Sequence, residues 1–321
     1  MTPLDMPLVL EARRALDGRI RRTPVEPSPA LSEKAGVAVF LKLESLQLTG
    51  SFKIRGAFFV LSRLDAAARR RGIVTCSAGN HGKAVAYVAR ELGIPAEIHV
   101  PRSVDESKYR AIVALGARVV RSDFDGFDDT ERLARAEAAR TGRPYLTAFD
   151  DNLILAANGG TLAAEVLEDC PEARTFLVPV GGAGLAGGFA YYAKTALPEA
   201  RLVGCQHADS PALALSLERG EAVLTLPPVA TTAGGLEGGI GRTGFEVLRS
   251  RLDGVALLTE EEIFEAVRFM LDRHQYLIEP SSAVTVAAIL TDKAGRLDSP
   301  AVAVISGRNV ALPTIRRILA A

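Results

Sequence analysis

The sequence predicts an α/β protein with two parallel-sheet domains. Three observations carry that expectation. Short β-type runs begin at 73, 96 and 117, which are 23 and 21 residues apart, and each is followed by a helical stretch. That interval is about one strand–helix unit of a parallel sheet. A second strand–helix series begins near residue 150, and glycine-rich or Ser/Asn-rich turns directly follow three of the strands.

Apolar residues at Ile54, Phe58, Leu61 and Leu64 have helical spacing. A strand follows at Ile73-Val74-Thr75-Cys76. Val85, Val88, Ala89 and Leu92 mark a helix closed by Gly93 and Pro95. The runs Ala96-Glu97-Ile98-His99-Val100 and Ala117-Arg118-Val119-Val120 continue the first series. The second series reads as a helix (Leu162 to Leu167), a strand (Phe176 to Val180), a glycine turn and a helix. It continues with a strand (Leu202 to Cys205), a late helix from Ser281 and a last strand (Ala301 to Ile305). The expected division is residues 1–47 plus 149–321 in one unit and 48–148 in the other. No internal repeat or low-complexity tract interrupts it.

Composition excludes several function classes. Hydrophobic residues make up 48% and charged residues 24%, as in ordinary soluble globular chains. Lys+Arg and Asp+Glu both number 38, so no basic excess is present to bind a nucleic-acid backbone. Cys76, Cys170 and Cys205 are odd in number and widely spaced, which suits reduced thiols in a cytoplasm. The four histidines (81, 99, 207 and 274) form no zinc pattern, so no metal is expected. The N-terminus lacks a signal pattern. The uncharged stretch Thr175 to Ala193 holds Pro179 and five glycines, so it reads as a turn in an α/β unit and not as a membrane span.

Three turns are candidate ligand sites, because parallel strands collect their C-terminal ends on one sheet edge. Gly181-Gly182-Ala183-Gly184-Leu185 follows a strand and opens a helix, a place where backbone N–H groups can hold a phosphate. Gly182-x-Gly184-x-x-Gly187 also fits a dinucleotide fingerprint, although Asp209 lies past the place where a ribose-binding acid belongs. A tight turn with close helix–sheet packing is the structural alternative. Ser77-Ala78-Gly79-Asn80-His81-Gly82 reads either as simple helix capping or as a pocket for a carboxylate. Ser306-Gly307-Arg308-Asn309 follows the last strand. The segment Gly234 to Gly244, with six glycines, is either a flexible loop or backbone that passes close to a ligand.

Only seven lysines exist: 34, 42, 53, 83, 108, 194 and 293. Lys53 lies between Phe52 and Ile54 at a helix start. A helix N-terminus and a dry pocket both lower an amine pKa, as a Schiff-base lysine requires.

Together, SFKIRG, SAGNHG, GGAGLAGG and the late SGRN resemble the fold-type II pyridoxal-phosphate enzymes, with the tryptophan synthase β-like architecture. The likeness runs from about Arg22 to Asn309. The nearest subgroup is the serine/threonine dehydratases, with serine racemases and hydroxyectoine-utilisation dehydratases as relatives. The resemblance implies a large cofactor-binding domain (1–47 plus 149–321) and a small domain (48–148) carrying the substrate-carboxylate loop. It implies that Lys53 binds pyridoxal 5'-phosphate covalently and moves protons. Phe52 would pack beside the ring, and Asn80 would bond its phenolic oxygen. Gly181, Gly182, Ala183, Gly184 and Leu185 would hold the phosphate, and Ser306 would meet the pyridine nitrogen. Ser77, Ala78, Gly79, Asn80 and His81 would bind the substrate carboxylate. The implied activity is β-elimination from a small β-hydroxy amino acid such as L-threonine or L-serine, giving a 2-oxo acid and ammonia in a homodimer. An amino-acid racemase, another 3-hydroxy-amino-acid dehydratase, a nicotinamide oxidoreductase and a silent binding module are the competing readings.

Several positions depart from the pattern. Ala78 stands where racemases carry a second serine, which favours a lyase. Gln206 replaces the carboxylate of the racemase-type metal site. Ala183 replaces a glycine, a change that is accommodated if its φ is negative. Asn158-Gly159-Gly160-Thr161 and the Arg308 of SGRN bear on the substrate. Gly159, the 234–244 segment and Glu279-Pro280-Ser281 are candidates for the side-chain pocket. The chain ends twelve residues after Asn309, so no C-terminal regulatory domain is expected.

Overall fold

A computed structural model describes residues 2–320. Nine strands form two sheets: β1 (Val25–Pro27), β2 (Val39–Leu43), β3 (Ile73–Cys76), β4 (Ala96–Val100), β5 (Arg118–Arg121), β6 (Thr175–Pro179), β7 (Arg201–His207), β8 (Gly254–Leu258) and β9 (Ala301–Ile305). The order β3-β4-β5 makes the small parallel sheet. The order β1-β2-β9-β6-β7-β8 makes the large one. The five strands from β2 to β8 in that order are parallel, and only β1 runs antiparallel, against β2.

The expected strands at 73, 96, 117, 176, 202 and 301 are present within one residue of their starts. β1, β2 and β8 are additional. Three residues ending in Pro27 are too few to show alternation. In β2 the run Val39-Phe40-Leu41-Lys42-Leu43 is interrupted by a charge that turns out to be buried. β8 is a five-residue apolar run, which periodicity alone does not separate from helix.

β9 shows why the large sheet is a core. Ala301, Ala303 and Ile305 pack on one side with the helices Glu260–His274 and Pro280–Leu290, whereas Val302 and Val304 face the helices Thr161–Asp169 and Gly184–Ala196. Both faces are covered, as a parallel sheet requires. β9, the last strand in the chain, pairs with both β2 and β6. The segments after β2, β9, β6 and β7 therefore emerge on the same sheet edge.

The glycines of the 181–188 run are set first by packing. A Cβ at Gly188 would lie 1.8 Å from the Leu155 carbonyl oxygen, and one at Gly159 would lie 2.0 Å from that of Leu185. The helix Gly184–Ala196 thus presses directly on the π-helical turn Ala156–Gly160.

Arg55 is completely buried and ties the Lys53–Ser62 helix to the rest of the chain. It meets both oxygens of Glu44, at 2.9 and 2.7 Å, and both of Glu165, at 2.7 and 2.8 Å. Lys42, also fully buried, holds Glu165 at 2.7 Å. The two carboxylates raise the Arg55 pKa even though burial opposes them. Removing one partner of such a set strands buried charge. Arg55→Met is therefore expected to lower the unfolding free energy by about 3–5 kcal/mol, measured by urea titration. A loss below about 1 kcal/mol would contradict this role.

Candidate active site

Lys53 is the first residue of its helix. Two contacts fix the chain just before it. The Phe52 N–H donates to the Ser306 carbonyl at 3.1 Å, and Ser51 forms an antiparallel bridge with Gly307. Arg308 N–H donates to the Gly50 carbonyl at 2.9 Å. The SFKIRG and SGRN segments, some 250 residues apart, thus run side by side. Lys53 Nζ donates to the Ala148 carbonyl at 2.8 Å and lies 5.2 Å from the centre of the Phe52 ring. Burial lowers its pKa to about 8, against a smaller upward pull from Glu279.

His81 lies on the next wall. It is buried, and its Nε2 is 3.0 Å from Thr75 Oγ1, whose hydrogen goes to the Leu146 carbonyl at 2.7 Å. His81 Nε2 is accordingly the donor. Burial, reinforced by Lys53, lowers its pKa to about 3, so it is neutral at physiological pH.

The capping alternative for the 77–82 turn does not hold. Ser77 Oγ accepts the Gly79 N–H at 3.1 Å, and the helix Asn80–Leu92 has Gly79 at its N-cap with no side-chain cap. Its first amides are left for a ligand, where the helix dipole favours an anion. Gly82 is required at its place, because a Cβ would lie 2.2 Å from the Ser77 carbonyl oxygen.

Asn80 is held by Glu279 and Asn309. Its Nδ2 donates to Glu279 Oε1 at 2.6 Å, and its Oδ1 accepts from Asn309 Nδ2 at 2.7 Å. One Nδ2 hydrogen remains for a ligand. Lys83 Nζ donates to Asn309 Oδ1 at 2.7 Å, and Glu279 Oε2 accepts the Asn309 N–H at 3.0 Å. Burial raises the Glu279 pKa to about 7, against its bonds from Asn80 and Asn309. Sequence reasoning named Glu279 without a role and missed Lys83. The contacts that define both come from segments distant in the chain.

In the 181–185 turn, the amides of Gly182, Ala183, Gly184 and Leu185 donate to no protein acceptor among the described residues. Such a row of free donors at a helix start suits a phosphate. The turn is also tightly walled: a Cβ at Gly182 would strike the Phe149 ring at 2.4 Å, and one at Gly181 the Gly235 carbonyl oxygen at 2.2 Å. The 234–244 segment thus lies against this turn, and Gly241 N–H donates to the Gly182 carbonyl at 3.2 Å. Ala183 does not meet the condition for an easy replacement of glycine, since its φ is +66°, in the left-handed region. This geometry orients the turn's amides at a local cost for a residue with a Cβ.

Gln206 is engaged within the fold. Its Oε1 accepts from the Leu213 N–H at 2.9 Å, and its Nε2 donates to the Val180 carbonyl at 3.2 Å. Cys76, Cys170 and Cys205 are free and buried. No helix among the described residues is long and apolar enough to cross a membrane.

A buried amine of lowered pKa, a row of free amides and a buried serine hydroxyl are the parts that hold a pyridoxal phosphate. Comparison with known proteins agrees. Residues 16–307 match the model of the pyridoxal-phosphate dependent enzyme family, and the chain belongs to that family. It is 36% identical over 315 residues to an L-threonine ammonia-lyase of Geobacter sulfurreducens, covering 97% of this chain and 77% of that one. It is 34% identical over 324 residues to the catabolic L-threonine dehydratase TdcB of Escherichia coli K12, covering 98% and 96%. Among solved structures, maize serine racemase superposes with a TM-score of 0.91 at 30% identity, covering 99% of this chain and 98% of that one. The fold is that of the fold-type II enzymes.

The lowered amine pKa has a direct consequence. With its pKa lowered to about 8 by burial, Lys53 carries a far larger neutral fraction near neutral pH than an ordinary lysine does. Borohydride trapping of added pyridoxal phosphate is expected to mark Lys53 first. The initial trapping rate should rise with pH and level off above about 8, read by peptide mass. A rate still climbing steeply at pH 10 would contradict the lowered pKa.

Proposed function

We propose that this chain is a pyridoxal-phosphate-dependent ammonia-lyase, a dehydratase acting on a small β-hydroxy amino acid such as L-threonine or L-serine. The observation that carries the reading is the placement of Lys53 directly against the Ser306 turn by the Phe52–Ser306 bond. The names of the relatives, threonine ammonia-lyase and threonine dehydratase, support the reaction class and substrate.

The coenzyme, when bound, supplies an electron sink for the substrate α-carbon. Lys53 would hold it covalently, and its amine, once displaced by the substrate amine, would be free to take the α-proton. The free amides from Gly182 to Leu185, with Gly181, hold the phosphate. Phe52 would flank the ring, Asn80 has one hydrogen left that would suit the phenolic oxygen, and Ser306 would meet the pyridine nitrogen. The 77–81 loop (Ser77, Ala78, Gly79, Asn80 and His81) receives the substrate carboxylate. His81 stays neutral there and serves as a hydrogen-bonding group, not as a second cation beside Lys53. Hydroxide leaves Cβ with a proton, as water. One water is then consumed in releasing ammonia, so threonine yields 2-oxobutanoate without redox change. Ala78 offers no hydroxyl to return a proton on the other face, which favours elimination over racemisation. In this reading residues 48–148 form the small substrate-side domain and 1–47 plus 149–321 the large cofactor-side one. The enzyme is a cytoplasmic homodimer.

Purified protein loaded with coenzyme is expected to release 2-oxo acid from L-threonine or L-serine, in a screen that includes 3-hydroxyaspartate and 3-phenylserine. Lys53→Ala should lose the borohydride-stable adduct and at least about 10³-fold in turnover. Retained turnover would reject Lys53. Inverted serine without pyruvate, found by chiral analysis, would replace the lyase by an isomerase.

A further inference from the structure

Ser282 lies in the first turn of the Pro280–Leu290 helix and is fully buried. Its Oγ accepts the Gly307 N–H at 2.6 Å and lies 3.1 Å from Ser306 Oγ. Those are the only partners of that hydroxyl among the described residues. The helix start is itself pinned to the strand end. Thr285 Oγ1 lies 3.3 Å from the Val304 carbonyl oxygen, and Glu279 N–H donates to the Gly307 carbonyl at 3.1 Å. Gly307 fits one seat, since a Cβ there would lie 2.8 Å from Glu279 Oε1.

A hydroxyl has one hydrogen and two lone pairs. The Gly307 bond takes a lone pair of Ser282, so its hydrogen still needs an acceptor. Ser306 Oγ is the acceptor in reach. Any other orientation buries an unpaired O–H, which disfavours it by about ten- to a hundredfold in population. Ser306 therefore accepts from Ser282, and its own hydrogen is free to point away from the helix. A bond accepted by a hydroxyl also strengthens the bond it donates.

We infer that Ser282 is a positioning residue that directs the hydrogen of Ser306 toward the coenzyme, where Ser306 donates to a ring nitrogen that carries no proton. This rests on the proposed reading in which Ser306 faces that nitrogen. A lone serine can donate or accept, so Ser306 by itself leaves the protonation of the ring open. The pair favours donation, because accepting from a protonated ring through its second lone pair would leave the Ser306 hydrogen without an acceptor among the described residues. An unprotonated ring is the weaker electron sink, which suits prompt loss of the β-substituent.

The test loads wild type, Ser282→Ala and Ser282→Cys with coenzyme carrying ¹⁵N in the ring, and reads the ring nitrogen by NMR. Wild type is expected to give the signal of a hydrogen-bonded, unprotonated pyridine. In Ser282→Ala the signal should move toward the pyridinium position, and coenzyme affinity, followed by fluorescence, should fall about five- to tenfold. Ser282→Cys keeps nearly the same shape with a weak donor and should shift part of the way, which guards against misfolding of the alanine variant. A wild-type signal already at the pyridinium position overturns the inference. So does an unchanged signal in both variants with coenzyme bound, and in either case the lyase reading stands. Wild-type protein that takes up no coenzyme overturns the lyase reading, and this inference with it.

Discussion

The contact on which the site depends is the short pairing of residues 50–52 with 306–308. Phe52 N–H on the Ser306 carbonyl and Arg308 N–H on the Gly50 carbonyl join the segment after β2 to the turn after β9. β9 can supply that turn only because it lies between β2 and β6, although it is the last strand made. The Lys53 amine is thus positioned by backbone bonds to a distant strand end. Side-chain rotamers alone would place it less firmly.

Behind that pairing, Arg55 anchors the same helix from its far side. Its guanidinium is enclosed by Glu44 and Glu165, and Lys42 completes the charge balance. The set keeps the Lys53 end of the helix in place while leaving Lys53 without a carboxylate partner in contact. The amine pKa is then lowered by burial, and Glu279 only partly restores it. Glu279 is itself pushed toward neutrality by burial, and its bonds go to Asn80 and to the Asn309 backbone. Charge inside the cleft is kept low, which suits a site that must hold a neutral amine.

Glycine serves two purposes in this fold. Gly159 and Gly188 let a helix and a π-helical turn touch at backbone distance. Gly181 and Gly182 let the phosphate-type turn lie against Phe149 and Gly235, leaving its amides free. Packing accounts for Gly159 and Gly188, while the turn at Gly181 and Gly182 leaves backbone donors unused. Ala183 shows the demand of the turn most plainly, because it takes a left-handed conformation there despite its Cβ.

The α/β class and six of the nine strands among the described residues were legible in the sequence, as were Lys53 and three strand-end turns as candidates, because these are local signals of periodicity, turn chemistry and motif. It did not show β1, β2 or β8, whose runs are too short or, in β2, broken by the buried Lys42. It left Glu279 without a role, passed over Lys83 and Ser282, read the 77–82 turn as open to capping and did not reveal the positive φ of Ala183. Each of these depends on contacts between segments far apart in the chain. Glu279, Lys83 and Ser282 gain their roles from partners brought in by β9 and by the Asn80–Leu92 helix. The Ala183 backbone is set by close packing of its turn against Phe149 and Gly244. Hydrogen-bond direction and backbone strain depend on what stands across a gap of about 3 Å, and that neighbour lies too far away in the chain for a local pattern to reveal it.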